Sequence, residues 1–111
     1  HLQYEVLGKE VDAFAARFNK EFGIQLEFEK EAVTALVEES LKRDKTIRGL
    51  CEEKFKDFHY GLSLISRNTG KTTFTIDAAT VSDPDGELSK MVVADFRQAQ
   101  GAGDGNEQDD K

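Results

Sequence analysis

The sequence predicts a small α+β domain, with three helices packed on one face of a two- or three-stranded sheet. Two observations carry this expectation. Apolar residues recur with helical spacing in three stretches, and between them lie short runs with the period-two spacing of strands. A chain of 111 residues with 38% apolar content is also long enough for one core and too short for two, so every apolar stripe must be buried in the same interior.

The first helix is expected from about Glu5 to Phe22, where Leu7, Val11, Phe14, Ala15, Phe18 and Phe22 trace one stripe and Gly23 supplies the stop. Ile24-Gln25-Leu26-Glu27-Phe28 alternates strictly, which predicts a short strand with Ile24, Leu26 and Phe28 on one face. A second helix is expected over Glu29 to Arg43, with Val33, Leu36, Val37 and Leu41 inward. Its acidic start and its basic end, Lys42 and Arg43, suit the helix dipole. Thr46 can cap a third helix, whose residues Ile47, Leu50, Cys51, Phe55, Phe58, Leu62 and Ile65 form the longest periodic run in the chain.

Asn68-Thr69-Gly70 predicts a turn, and Thr72 to Ile76 a β-branched strand with Phe74 and Ile76 inward. Asp83-Pro84-Asp85-Gly86 has the composition of another turn, and Met91 to Phe96 can be a third strand or the start of a helix. The domain is expected to span residues 1–99. The polar, glycine-rich residues 100–111 hold too little apolar surface to bury and are expected to form a disordered acidic tail.

Net charge is −7, with 22 acidic against 15 basic residues, which disfavours nucleic acid and anionic membrane as partners because phosphate contacts need clustered Lys and Arg. One cysteine cannot form an internal disulfide, no apolar run reaches membrane-spanning length, and no secretory leader stands at the start. Together these predict a cytoplasmic protein. The chain opens on His1, which leads us to expect a piece of a longer polypeptide.

Gly70-Lys71-Thr72-Thr73 resembles the end of a phosphate-binding loop. That loop needs a glycine five residues before Gly70, where Ile65 stands, and it must leave a strand and enter a helix. Here the predicted order is the reverse, so the tetrapeptide reads as a turn with a solvated Lys71. Cys51 lies on an apolar stripe and His59 is eight residues away, roughly 12 Å along one helix, which excludes a thiol–imidazole couple. No second ligand stands at zinc-like spacing from His59. Glu38-Glu39 and Glu52-Glu53 diverge by about 100° on a helix and read as solvated faces. Asp83, Asp85 and Glu87 lack the glycine and terminal glutamate of a calcium loop, and the glycines at 101, 103 and 105 follow no strand.

Arg48 stands out by position. At the second residue of the third helix it opposes the dipole, and it either pairs with Glu52 four residues on or, beside free helix N–H groups, receives an anion such as a nucleotide phosphate.

Several segments together resemble one family. Phe18-Asn19, Gly23 to Phe28, Glu31 to Leu36 and Thr46-Ile47-Arg48-Gly49-Leu50 are similar, in order and spacing, to the C-terminal small, or lid, domain of Clp-type AAA+ ATPases of the ClpX kind. The resemblance covers about Lys9 to Val81. It implies that Arg48 is the sensor-2 arginine, reaching the γ-phosphate of ATP whose Mg is held by a preceding large domain, with Ile47 and Gly49 beside the nucleotide. Thr46 and Ile47 stand where the family usually has Gly and Ala. The resemblance further implies an unfoldase or protease-associated chaperone working as a ring, taken as hexameric, with neighbouring subunits and a protein substrate or peptidase as partners. Walker A, Walker B and the arginine finger are absent from this chain, so it is not expected to hydrolyse ATP alone. The alternative is a small α+β interaction module without a nucleotide role.

Overall fold

The computed structural model describes residues 2–104. Among them the order is α1 (Leu2–Phe22), β1 (Gln25–Phe28), α2 (Lys30–Arg43), α3 (Ile47–Lys54), α4 (Phe58–Thr69), β2 (Thr73–Ile76), α5 (Ala78–Ser82) and α6 (Pro84–Asp104). The fold is mostly helical around a small parallel sheet of two strands, β1 beside β2. Six helices therefore stand where three were expected.

The alternation in β1 and β2 acts as expected. Leu26 lies opposite Phe74 and Phe28 opposite Ile76, facing the core, while Gln25, Glu27, Thr73 and Thr75 are exposed. Parallel pairing requires a long crossover, and α2, α3 and α4 provide it. Gly23 and Gly70 sit at φ 70° and 79°, in the left-handed region that ends a helix, and each delivers the chain into a strand. The Gly-Lys-Thr segment is thus the exit from α4, with Lys71 exposed and its Nζ 5.2 Å from the centre of the Phe74 ring.

The expected third helix is two. After Lys54 the chain turns through 55–57, with tight bonds from Phe58 N to Phe55 O (3.1 Å) and from Tyr60 N to Asp57 O (3.2 Å), before α4 begins. The turn keeps the three-residue step from Phe55 to Phe58. Both rings stay buried and pack edge to face at 4.9 Å, so the apolar stripe runs on unbroken past the break in the helix.

Leu41 was expected inside but is 42% exposed, whereas Ala32 and Ser40 share the buried face of α2 with Leu36 and Val37. Asp83 to Gly86 is not a turn between strands. Pro84 opens α6 at the position where its missing N–H costs nothing, and Asp83 accepts from Gly86 N. Residues 91–96 are helical, and α6 crosses the expected boundary at 99 to reach Asp104. Residues 105–111 of the expected tail lie outside the described residues. Gly61 lets α4 and α6 approach, since a Cβ there would meet Leu88 Cδ1 at 2.8 Å.

One polar clasp ties the helices together. Lys54 Nζ, with its side chain only 10% exposed, bridges Glu39 on α2 at 2.9 Å and donates to the Val81 carbonyl on α5 at 2.9 Å. Burial would raise the Glu39 carboxyl, but hydrogen bonds from Lys54 and Arg43 outweigh it and hold the group below its ordinary value. Asp77 caps α5 through Thr80 N and Oγ1, and those bonds lower its pKa.

Lys54→Ala should cost about 1–3 kcal/mol in urea unfolding, because it removes the donor to the Val81 carbonyl and leaves Glu39 to Arg43 alone, whereas Lys45→Ala, at an exposed bridge to Glu53, should leave the midpoint nearly unchanged. Asp77→Ala should cost about 1 kcal/mol at neutral pH as a lost cap. Because the folded pKa of Asp77 is depressed, its stabilisation is present above the unfolded value and lost as pH falls through the folded one. The difference between Asp77→Ala and the parent should therefore shrink below about pH 4, as followed by unfolding at a series of pH values.

Candidate functional site

The geometry around Arg48 is set from the α2–α3 turn. Asp44 takes the left-handed conformation at φ 55°, and buried Ser40 donates from its hydroxyl to the Lys45 carbonyl, which fixes the chain entering α3. Thr46 then caps the helix as expected, accepting from Gly49 N at 3.0 Å, while Leu50 N closes the first turn on Thr46 O at 2.9 Å. Ile47 and Leu50 anchor this end in the core. Those anchors put Arg48 on the outer side of α3, with its side chain 63% exposed.

Arg48 opens on a groove of about 310 Å³ between α1 and the α3–α4 segment. Phe14, Phe18, Phe22 and Phe55 form its apolar wall, with Phe18 and Phe22 edge to face at 4.8 Å. His59 lies half-buried at one end, its ring stacked on Phe22 at 4.3 Å and 9°. The charged lining is Arg17 and Glu21 from α1, Arg48 and Glu52 from α3, and Lys56 from the turn. Three cations against two carboxylates leave a local positive excess on a chain of net charge −7.

The structure shows the pairing that the spacing of Arg48 allowed: Nε donates to Glu52 Oε2 at 3.1 Å, an exposed i,i+4 bridge. Such a bridge is worth about 0.3–0.5 kcal/mol, weak enough for a more highly charged anion to displace. The guanidinium has donors beyond Nε, so its fork can take a second acceptor without losing Glu52. Of the neighbours named with it, Ile47 is only 2% exposed and its side chain belongs to the core. Gly49 is exposed, but its N–H is taken by the Thr46 cap.

Arg17 was not anticipated. Its Nη2 is enclosed yet has no hydrogen-bond partner among the described residues. The legible signal was its place on α1, directly before Phe18 and three residues after Phe14, a cation set against the apolar stripe.

The other candidates separate. Cys51 is fully buried on α3, and burial pushes its thiol up to about 12, with nearby Arg17 acting weakly in the opposite direction. Glu52 and Glu53 turn to different partners, Glu53 to Arg43 and Lys45, and Glu39 is engaged by Lys54 and Arg43. Neither acidic pair is an acid/base couple. No group of three or more His, Cys, Asp or Glu among the described residues could hold a metal ion, and no helix among them is long and apolar enough to cross a membrane.

Alkylation of Cys51 by iodoacetamide at pH 8 should proceed at least about a hundredfold more slowly in the folded chain than in urea, since a buried thiol contributes almost no thiolate. Similar rates in the two states would contradict the packing of α3. Compared with known proteins, the chain matches no family model, no curated protein and no solved structure.

Proposed function

We propose that this chain is the lid domain of a Clp-type AAA+ ATPase, in which Arg48 contacts the phosphates of ATP bound mainly by a preceding large domain. One observation carries the reading. The arginine of the Arg-Gly-Leu segment lies at the second position of a capped helix, exposed and opening on a groove with an excess of positive charge.

The residues present suit such a ligand. A guanidinium offers paired donors to phosphate oxygens, and the start of α3 adds the favourable end of a helix dipole. Charge developing on a transferred phosphoryl group is what a positioned arginine stabilises. Mg and the attacking water belong to the large domain, and nothing in this chain need hold them. In this reading the chain is part of an ATP-driven unfoldase or protease-associated chaperone of the cytoplasm. It works in a ring whose lids pack on neighbouring subunits and whose motion follows hydrolysis.

A second reading is favoured by a different observation. Leu64 on α4 and Val93 and Phe96 on α6 are 40%, 46% and 56% exposed and line one shallow surface with Val92, which suits a small interaction module without a nucleotide role. A stable partner that is not an ATPase, captured and resolved by size exclusion, supports that alternative.

In the complete polypeptide, Arg48→Ala should lower ATP turnover at saturating ATP by about a hundredfold, the scale of losing one preorganised transition-state donor. Turnover and coupling equal to the parent would exclude the sensor role.

A further inference from the structure

We propose that the free edge of β2 is a docking site for an extended peptide segment of a partner protein, which lies in the groove between β2 and α6 and adds a strand to the sheet. The inference goes beyond the nucleotide reading of Arg48 and does not rest on it, nor on the shallow surface of Leu64, Val93 and Phe96.

The backbone of β2 is used on one side only. Gln25 N donates to Thr72 O at 2.7 Å and Glu29 N to Ile76 O at 2.9 Å, which bracket a parallel ladder in which residues 72, 74 and 76 turn toward β1. Successive peptide groups of a strand point to opposite edges, so Thr73 and Thr75 turn their N–H and C=O groups away from β1. None of these groups has a hydrogen-bond partner among the described residues. A row of alternating donors and acceptors at strand spacing is matched in full by the backbone of another strand, and adding one is a recurrent mode of peptide recognition.

A groove of about 470 Å³ fixes where that strand runs. Phe74 and Thr75 line it from β2, and Met91, Ala94 and Asp95 line it from α6, with Ile65 contributed by α4. Phe74 faces the core and Thr75 the solvent, so a cavity that touches both follows the edge of the strand and not one face of the sheet. An added strand sits about 4.8 Å from β2 and turns alternate side chains toward Ile65, Phe74 and Met91. The occupant is thus apolar at every second position. Lys71 and Asp95 line the same groove, and neither is in an ion pair among the described residues, so a segment carrying both a carboxylate and a cation complements it better than a run of one sign. A second copy of the chain fits less well, because its own β2 lies beside its own α6 in the same way. Residues 105–111, Gly-Asn-Glu-Gln-Asp-Asp-Lys, hold no apolar side chain to fill the groove.

The test titrates the 111-residue chain with two hexapeptides that differ in strand direction, acetyl-Glu-Val-Thr-Val-Thr-Lys-amide and acetyl-Lys-Thr-Val-Thr-Val-Glu-amide, followed by backbone amide NMR. One of the two should saturate, with shifts concentrated at Thr73, Thr75 and Ala94 and none at Arg48. Thr75→Pro removes an edge N–H that β1 does not use, and Ala94→Arg fills the groove from an exposed position that folding does not depend on. Each should weaken binding by about tenfold or more, while the Gln25 and Glu29 amides keep their bonds to β2. N-methylation of the peptide at alternate residues should abolish binding in one phase and spare it in the other, since only every second N–H faces β2. Val93→Ser, on the neighbouring apolar surface, should bind like the parent.

Parent-like affinity in Ala94→Arg overturns the proposal, whether or not Thr75→Pro folds. Shifts confined to Leu64, Val93 and Phe96, or N-methylation tolerated at every position, overturn it as well. Failure of both peptides to approach saturation by about 1 mM does the same. Sedimentation showing the free chain to be a dimer that Ala94→Arg dissociates assigns the edge to a second copy and overturns the peptide as its occupant. None of these outcomes touches Arg48, which the turnover of Arg48→Ala in the complete polypeptide decides by itself.

Discussion

The burial of Phe55 is the constraint on which the rest of this structure depends. Its ring is 2% exposed and meets Phe14 of α1 at 6.0 Å, Phe28 of β1 at 5.8 Å and Phe58 of α4 at 4.9 Å. One side chain therefore ties the first helix, the sheet and the α3–α4 part of the crossover. Aromatic pairs of this kind contribute about 0.5–1.5 kcal/mol each beyond the area they bury. Phe55 is also the C-cap of α3, so anchoring its ring determines the direction in which α3 leaves the core. With Ile47 and Leu50 buried at the other end of that helix, Arg48 has no choice but the outer side, facing the groove beside α1.

Polar contacts refine this arrangement and do not create it. Lys54 ties α2 and α5 to the end of α3, and Ser40 with Thr46 settles the turn that begins it. Among the described residues, Arg17 Nη2 beside the groove is an enclosed side-chain nitrogen without a partner, and the groove lining carries a local excess of positive charge.

Much of this was legible in residues whose signals are local. The alternation from Ile24 to Phe28, the cap at Thr46 and the glycines at 23 and 70 each depend on a few neighbours, and each took its expected form. The break at 55–57 was not legible, because a turn that preserves a three-residue step leaves the apolar period intact. The helix α6 was obscured for a different reason: Asp83-Pro84 suits the start of a helix as well as a turn, and the packing of α6 on α4, where Leu88 meets Gly61, lies far away in sequence. In the groove, Arg48 was legible from its place in α3. Arg17 was not, because a cation beside an apolar stripe is ordinary on a surface helix, and its meaning depends on which element α1 packs against.

The central claim is that the start of α3 presents a guanidinium to a nucleotide phosphate. The most direct measurement is a crystal structure of the complete polypeptide with a non-hydrolysable ATP analogue. The account predicts an Arg48 Nη within about 2.7–3.0 Å of a terminal phosphate oxygen. A nucleotide bound with the Arg48 guanidinium turned away to solvent, still held only by Glu52, would contradict it.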